Sequence, residues 1–425
     1  MRALRANLFP WLVYVALFLL PWQTRYIFDQ KLIGGEPFEY GTLSVYAVEL
    51  LVLAAFFLGQ RLMIRREHQV SVKTIGIVLL AVAISIPFSF NADLSLNAWM
   101  HLVFAGALFC LLLDQRVDRT RAMTAFVLGL IGPAVLGLFQ FFSGWSPLST
   151  IFGLAFQEAS QLGASVIESE AGRQLRAYGS FSHPNVFGGY LAIGLLLTFF
   201  LASRHKTRFT YFLQLPLVSL FSFTFILTFS RSAWLAFLAA AAVGIFFIVR
   251  QHRALIRTHA PRLGLTALLL AAASLIFITP FVNRFDPNER LEQISVSERV
   301  HQYQAFPLVV NHDLLTGVGV GAYTLALAEI KPSQPAWSYQ PIHNVPLLVL
   351  GEVGIVGALA MIFWAVTVDR VNYAAIRRRS VTAIGGIVLG TVPLVIIFFD
   401  HYLWSSWQGL ALLMFLMAMT LRLSE

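Results

Sequence analysis

The sequence predicts an all-α, polytopic integral membrane protein of about twelve transmembrane helices with a helical extracytoplasmic domain. Hydrophobic residues make up 58% of the 425 and charged residues only 12%. Mean hydropathy is +0.73, and apolar runs recur along the whole chain. Such a chain has too little polar surface to cover a soluble core, so its helices must pack against one another in lipid. The net charge of +9 suits adhesion to anionic lipid, and no basic, aromatic-studded soluble segment exists to bind nucleic acid. Cys110 is the single cysteine, which excludes an internal disulfide and the CxxC metal and redox motifs. In its apolar run it reads as a small buried hydrophobe.

A span needs roughly 20 apolar residues. The opening MRALRANLFPWLVYVALFLLPWQ resembles a signal peptide but lacks a small-residue cleavage site, so it reads as a retained first helix. Residues 1–142 should hold helices near 7–22, 42–60, 73–89, 95–113 and 121–142. Residues 184–281 should hold those near 185–202, 209–229, 231–249 and 262–281, and residues 343–425 those near 344–368, 381–398 and 401–421. The runs 209–249 and 381–421 are too long for one crossing and must fold back, at Ser230-Arg231-Ser232 and at Asp400-His401, because charge is costly in mid-membrane. Two connectors, 143–183 and 282–342, are long enough to be functional. In the second, 289-ERLEQISVSERVHQYQAFPLVV-310 repeats apolar residues at helical intervals, and 316-TGVGVGAY-323 is a glycine-rich turn, so helices lying on the membrane face are expected.

Loop charge sets the orientation. One set of loops carries Arg61, Arg65, Arg66, Arg204, Lys206, Arg250, Arg377, Arg378 and Arg379, and the opposite set carries Glu36, Glu39, Glu158, Glu168, Glu170 and Glu289. The basic set is then cytoplasmic, with both termini. The polar residues that remain fall on the other side. His183 and Asn185 precede the sixth helix in 179-GSFSHPNVFGGYL-191, and Arg231 occupies the turn between the seventh and eighth. Arg299 lies on the amphipathic segment, His343 and Asn344 open the tenth helix, Glu352 lies within it, and Asp400 and His401 begin the twelfth.

Each also has a structural reading. His183-Pro184-Asn185 suits a plain helix start, with Gly188 and Gly189 letting a neighbour approach. Arg231 suits an interfacial anchor, Arg299 a surface partner of Glu298 or Glu292, His343 a capping histidine, Asp400-His401 a polar turn, and Glu352 a satisfied bundle-facing carboxylate. Against these stands their chemistry in combination. Two arginine forks suit the oxygens of a diphosphate leaving group, and a histidine near neutral pKa suits removal of a hydroxyl proton. Together they describe glycosyl transfer from a membrane-embedded lipid diphosphate, with arginine charge in place of a metal ion. The loops show no compact DxD or His cluster for Mg²⁺ or Zn²⁺, although ligands can also come from separate loops.

The strings GSFSHPNVFGGYL, TFSRSAWLA, SERVHQYQAF, LLTGVGVGAY and IHNVPLLVLGEVGIVGAL, in that order over residues 176–420, resemble the O-antigen ligase and polymerase superfamily. The pattern HN-x7-E-x-G over 343–354 is the most specific of them. The resemblance implies an inverting glycosyltransferase of the bacterial inner membrane, facing the periplasm, that needs no metal or other cofactor. It implies an undecaprenyl-diphosphate-linked glycan as donor and lipid A-core or another glycan as acceptor. It also implies diphosphate contacts by Arg231 and Arg299, with Arg290 the alternative to Arg299, and a catalytic base at His343. His183, Asn185, Asn344, Glu352, Asp400 and His401 are then residues of the cavity wall or the acceptor side. A repeat-unit polymerase shares this donor chemistry. A secondary transporter would instead show paired inverted repeats and charge at the bilayer midplane.

Overall fold

The computed structural model describes residues 2–169, 172–204, 208–332 and 334–425. Glu170 and Lys206, used above for orientation, lie outside them. In chain order the elements are α1 (Arg2–Leu19), β1 (Arg25–Ile33), β2 (Glu36–Tyr46), α2 (Ala47–Gly59), α3 (Gln69–Ala83), α4 (Ala92–Leu112), α5 (Arg119–Gly129) and α6 (Ile131–Ser143). Then come β3 (Trp145–Ser146), β4 (Gln157–Glu158), β5 (Val166–Ser169), β6 (Gly172–Leu175), α7 (Pro184–Arg204), α8 (Arg208–Leu227), α9 (Arg231–Gln251), α10 (Ala254–Ile276), α11 (Ile278–Asn283) and α12 (Arg290–Val310). The chain ends with α13 (Tyr323–Ile330), α14 (Val345–Arg377), α15 (Val381–Ile396), α16 (Tyr402–Ser405) and α17 (Trp407–Leu423).

Helix dominates, as expected of a multi-pass membrane protein. Among the described residues six helical segments are long and apolar enough to cross a membrane, among them Ala92–Leu112, Pro184–Leu201 and Val345–Arg377. The remaining expected spans coincide with shorter apolar helices such as Ala47–Gly59 and Trp407–Leu423. Beside the helices, the described residues form three two-stranded antiparallel sheets, β1–β2, β3–β4 and β5–β6, which the all-α expectation did not include. Residues 25–46 form an antiparallel hairpin in which Ile33 faces Glu36 across Gly34 and Gly35, both at positive φ. A two-residue turn with that geometry matches the twist of the strands it joins, and the flanking runs are rich in aromatic and β-branched residues.

The core is helix against helix. α7 is at its centre, with Phe187, Tyr190, Leu191, Ile193 and Leu195 fully buried. A Cβ at Gly188 would lie 2.9 Å from that of Ser230, and one at Gly189 2.0 Å from the Tyr402 hydroxyl. Both glycines therefore let α7 press against the start of α9 and against α16. Around it α1 packs on α2 and α5, α3 on α14, α4 on α17, and α9 on α15.

Two turns determine where the polar residues go. Between α8 and α9, Phe229 adopts φ +48, a costly conformation for a bulky residue; it is held there by full burial. The Ser230 hydroxyl accepts from Ala233 N–H and caps α9, so Arg231 starts the helix. In α14 the helix breaks at Gly354 (φ 61, ψ −167), a conformation open essentially to glycine alone. The backbone groups that the break frees are met by the glycine-rich loop: Val318 N donates to Gly351 O, Gly319 N to Glu352 O, and Ile355 N to Leu314 O. A Cβ at Gly354 would come within 2.2 Å of Leu315 O, and one at Gly317 within 2.3 Å of the Glu352 carbonyl carbon. Glu352 completes the joint. Its carboxylate accepts from Trp404 Nε1 at 2.7 Å and from the amides of Gly321 and Tyr323. Gly354→Ala should cost about 1–3 kcal/mol from strain alone. Thermal unfolding of the detergent-purified variant at an unchanged temperature would contradict that role.

Candidate active site

One cavity of about 830 Å³ lies where β2, the 143–183 segment, α12 and the starts of α9, α14 and α17 meet. It is lined by Arg231, Arg299, His183, Asn185, His343, Glu352, Asp400, His401 and Arg290, so the structure brings together every residue singled out by sequence except Asn344. Asn344 is instead the N-cap of α14, its side-chain oxygen accepting from Leu347 N at 3.1 Å and stabilising the helix start by about 1 kcal/mol.

The cationic wall is larger than the sequence suggested. Arg231 Nη1 lies 2.5 Å from Glu292 Oε2 as an ion pair and donates to Arg284 O at 3.0 Å. Arg284 donates to the other oxygen of the same carboxylate. Glu292 is nearly buried, so an anionic group already occupies the space between two guanidinium forks. It pairs with Arg231 and Arg284, whereas the sequence suggested Arg299 as its partner. Among the described residues Arg299 makes no hydrogen bond or ion pair, yet it is near enough to act electrostatically on both Arg284 and His343. Arg290 is mostly exposed and paired with Glu168 at 2.5 Å.

Arg176 also lines the cavity. Its Nε donates to Thr228 O at 2.7 Å and its Nη2 to Asn185 Oδ1 at 2.8 Å, tying the approach to α7 to the α8–α9 turn. Burial, then repulsion from Arg284, pushes its pKa down to about 9, which leaves it cationic at neutral pH. Burial likewise pushes Arg284 down to about 10, against the attraction of Glu292. Neither arginine stands out in the sequence: Arg176 is followed by Ala177 and Arg284 by Phe285, each in an ordinary loop stretch.

Asn185 Nδ2 donates to Asp400 Oδ2 at 2.9 Å, so the HPN segment and the α15–α16 turn, far apart in sequence, share one network. His183 Nδ1 accepts from Asn185 N–H at 3.1 Å, which leaves Nε2 to bear the proton toward Ser165 Oγ at 3.0 Å. Burial, then Arg176, holds its pKa well below the ordinary histidine value. Burial opposes the charge on Asp400, but His343, His401, His183 and the Asn185 amide outweigh it and keep the carboxyl ionised. His401 packs edge-on to His343 with ring centroids 4.9 Å apart. It bonds Ser405 Oγ through Nδ1 at 2.7 Å, and burial, then His343, pushes it down to about 3.

His343 has a defined tautomer. Gln302 Oε1 accepts from the His343 backbone N–H at 3.2 Å, and a main-chain donor identifies that atom as the amide oxygen. The same oxygen lies 2.9 Å from His343 Nδ1, so Nδ1 carries the proton and Nε2 offers a lone pair. Burial lowers the pKa of His343, with Arg299 adding to the shift and Asp400 opposing it. A neutral imidazole with a free Nε2, beside several guanidinium groups, can take a proton while an anion is held nearby. His343, Asp400 and His401 also bring one donor atom each to within 4.8 Å of one another, a set drawn from two separate turns.

A family model described as O-Antigen ligase matches residues 215–362. This stretch belongs to the O-antigen ligase family. The match supports a membrane glycosyltransferase of the O-antigen ligase and polymerase type. No curated protein matches the chain. The ligase-family stretch holds Arg231, Arg284, Glu292, Arg299, Gln302, His343 and Glu352, whereas Arg176, His183, Asn185, Asp400 and His401 reach the same cavity from outside it.

Proposed function

We propose that the protein is an O-antigen ligase-like inverting glycosyltransferase that moves a glycan from undecaprenyl diphosphate to a hydroxyl of lipid A-core, in a cavity on the periplasmic side of the inner membrane. The observation that carries this reading is a neutral, oriented His343 beside Arg231, Arg284 and Arg299 in one cavity. The acceptor oxygen attacks the sugar's anomeric carbon as the bond to the diphosphate oxygen breaks, and the acceptor proton passes to His343 Nε2. The leaving diphosphate keeps the electron pair, and its charge is met by Arg231 and Arg299. A single displacement inverts the anomeric centre. Arg299 suits this role better than Arg290, which is exposed and engaged by Glu168. Glu292 has to yield Arg231 when the donor enters, so part of the donor's binding energy goes into that exchange.

Metal independence belongs to the same reading. Arg176, Arg231, Arg284 and Arg299 already supply the positive charge that a divalent ion would bring, and they repel one. The three donor atoms of His343, Asp400 and His401 support the alternative. Purified protein should keep its transfer activity in EDTA. Loss of activity restored specifically by Mg²⁺, Mn²⁺ or Zn²⁺ would make that trio a metal centre instead. The same assay separates ligase from polymerase: a ligase elongates lipid A-core, whereas a polymerase lengthens a second lipid-linked glycan.

A further inference from the structure

The cavity also has lining residues of different chemistry, from β2, α4, α13 and α17. Tyr46, His101 and Trp407 form an aromatic cluster there, with Tyr46 and Trp407 stacked at 6.2 Å and His101 edge-on to Tyr46 at 5.7 Å. Around it are three buried polar atoms with no hydrogen-bond partner among the described residues: Trp407 Nε1, Gln408 Nε2 and Thr324 Oγ1. All three residues line the cavity and are at most 3% exposed. Leaving such groups unpaired costs stability, so they call for a ligand.

The charged groups nearby are already committed. Glu49 accepts from Tyr46 N–H at 2.7 Å and pairs with His101 at 2.5 Å, and Glu352 is held by Trp404. What remains open is a set of neutral groups, two of them able only to donate, beside an aromatic platform. The nearby cation, Arg25, donates to the Tyr46 hydroxyl at 3.2 Å and pairs with Glu39 at 3.1 Å, so its charge is engaged as well. A pyranose ring fits both features: its hydroxyl and ring oxygens supply lone pairs, and its C–H face packs on aromatic carbon. We propose that Tyr46, His101, Trp407, Gln408 and Thr324 form a saccharide subsite, holding the sugar next to the bond that is made or broken. The proposal rests on the transfer reaction above. The sugar is either the first residue of the donor glycan or the terminal residue of the acceptor, and the two share this chemistry.

The test uses full-length protein in detergent and isothermal titration with three probes: a sugar-free polyprenyl diphosphate, the same lipid carrying its glycan, and the glycan acceptor. Trp407→Phe and Gln408→Leu each remove one donor, and Thr324→Val removes a hydroxyl at constant shape. The expected result is a loss of about five- to tenfold in affinity for one glycan-bearing probe, with the sugar-free lipid changed by less than about twofold. The probe that weakens identifies the source of the sugar. Unchanged affinity for all three probes in all three variants overturns the subsite, and so does an equal loss for the sugar-free lipid. If the unmodified protein failed to bind the sugar-free lipid, the diphosphate reading would fall, while selective weakening of the acceptor would still support the subsite.

Discussion

Arg231→Ala should lower glycan transfer by about 10²- to 10³-fold, the usual loss when a transition-state contact to a developing oxyanion is removed. Arg231 starts α9 with its guanidinium aimed into the cavity, 2.5 Å from a nearly buried carboxylate. An interfacial anchor would behave otherwise, because a lysine reaches the same headgroups. A diphosphate gripped by a planar fork distinguishes the two side chains, since lysine offers only a point charge. Arg231→Lys should therefore be clearly impaired at saturating donor, with both variants present in the membrane at normal levels. Near-normal turnover by the lysine variant would return Arg231 to anchoring.

His343→Ala should cost about 10²- to 10⁴-fold if Nε2 takes the acceptor proton. The pH profile carries more information than the loss itself. Only neutral His343 can accept a proton, so kcat/KM falls as pH drops through its pKa. Burial, then Arg299, depresses that pKa below 6.5 while Asp400 raises it, and the acid limb should lie below 6.5 accordingly. In Asp400→Asn the attraction that favours the imidazolium is lost, so the limb should move lower still. Gln302→Leu should reduce kcat by releasing Nδ1–H, with donor binding retained. An acid limb that stays in place in Asp400→Asn would remove His343 as the group that titrates.

Much of the helical framework was legible because its causes are local. A run of apolar residues, Pro184 at a helix start and Asn344 before 345-VPLL-348 each act within a turn or two. The hairpin at 25–46 was missed although Gly34-Gly35 between β-prone runs marks it, because hydropathy over a membrane-spanning length passes over short strands. The break at Gly354 was invisible for another reason: its stability comes from the loop at 314–319, which only the folded chain brings alongside. Of the candidate site, sequence found the residues whose types stand out against lipid, such as Arg231 and Asp400. It missed those whose role is a partnership. Gln302 meets His343 across 41 positions, and Arg176 meets Thr228 across 52. Arg284 acquires its place only when Glu292 folds back against it.

The most direct test of the central claim follows both products of one turnover. Purified protein is incubated with a polyprenyl-diphosphate-linked glycan and lipid A-core in EDTA, and free polyprenyl diphosphate and the new glycosidic linkage are quantified together. Glycosyl transfer through this cavity predicts one lipid diphosphate released for each linkage formed, inversion at the anomeric carbon, and loss of both products together in Arg231→Ala. Diphosphate release without a new linkage, retention of configuration, or full product formation by Arg231→Ala would contradict it.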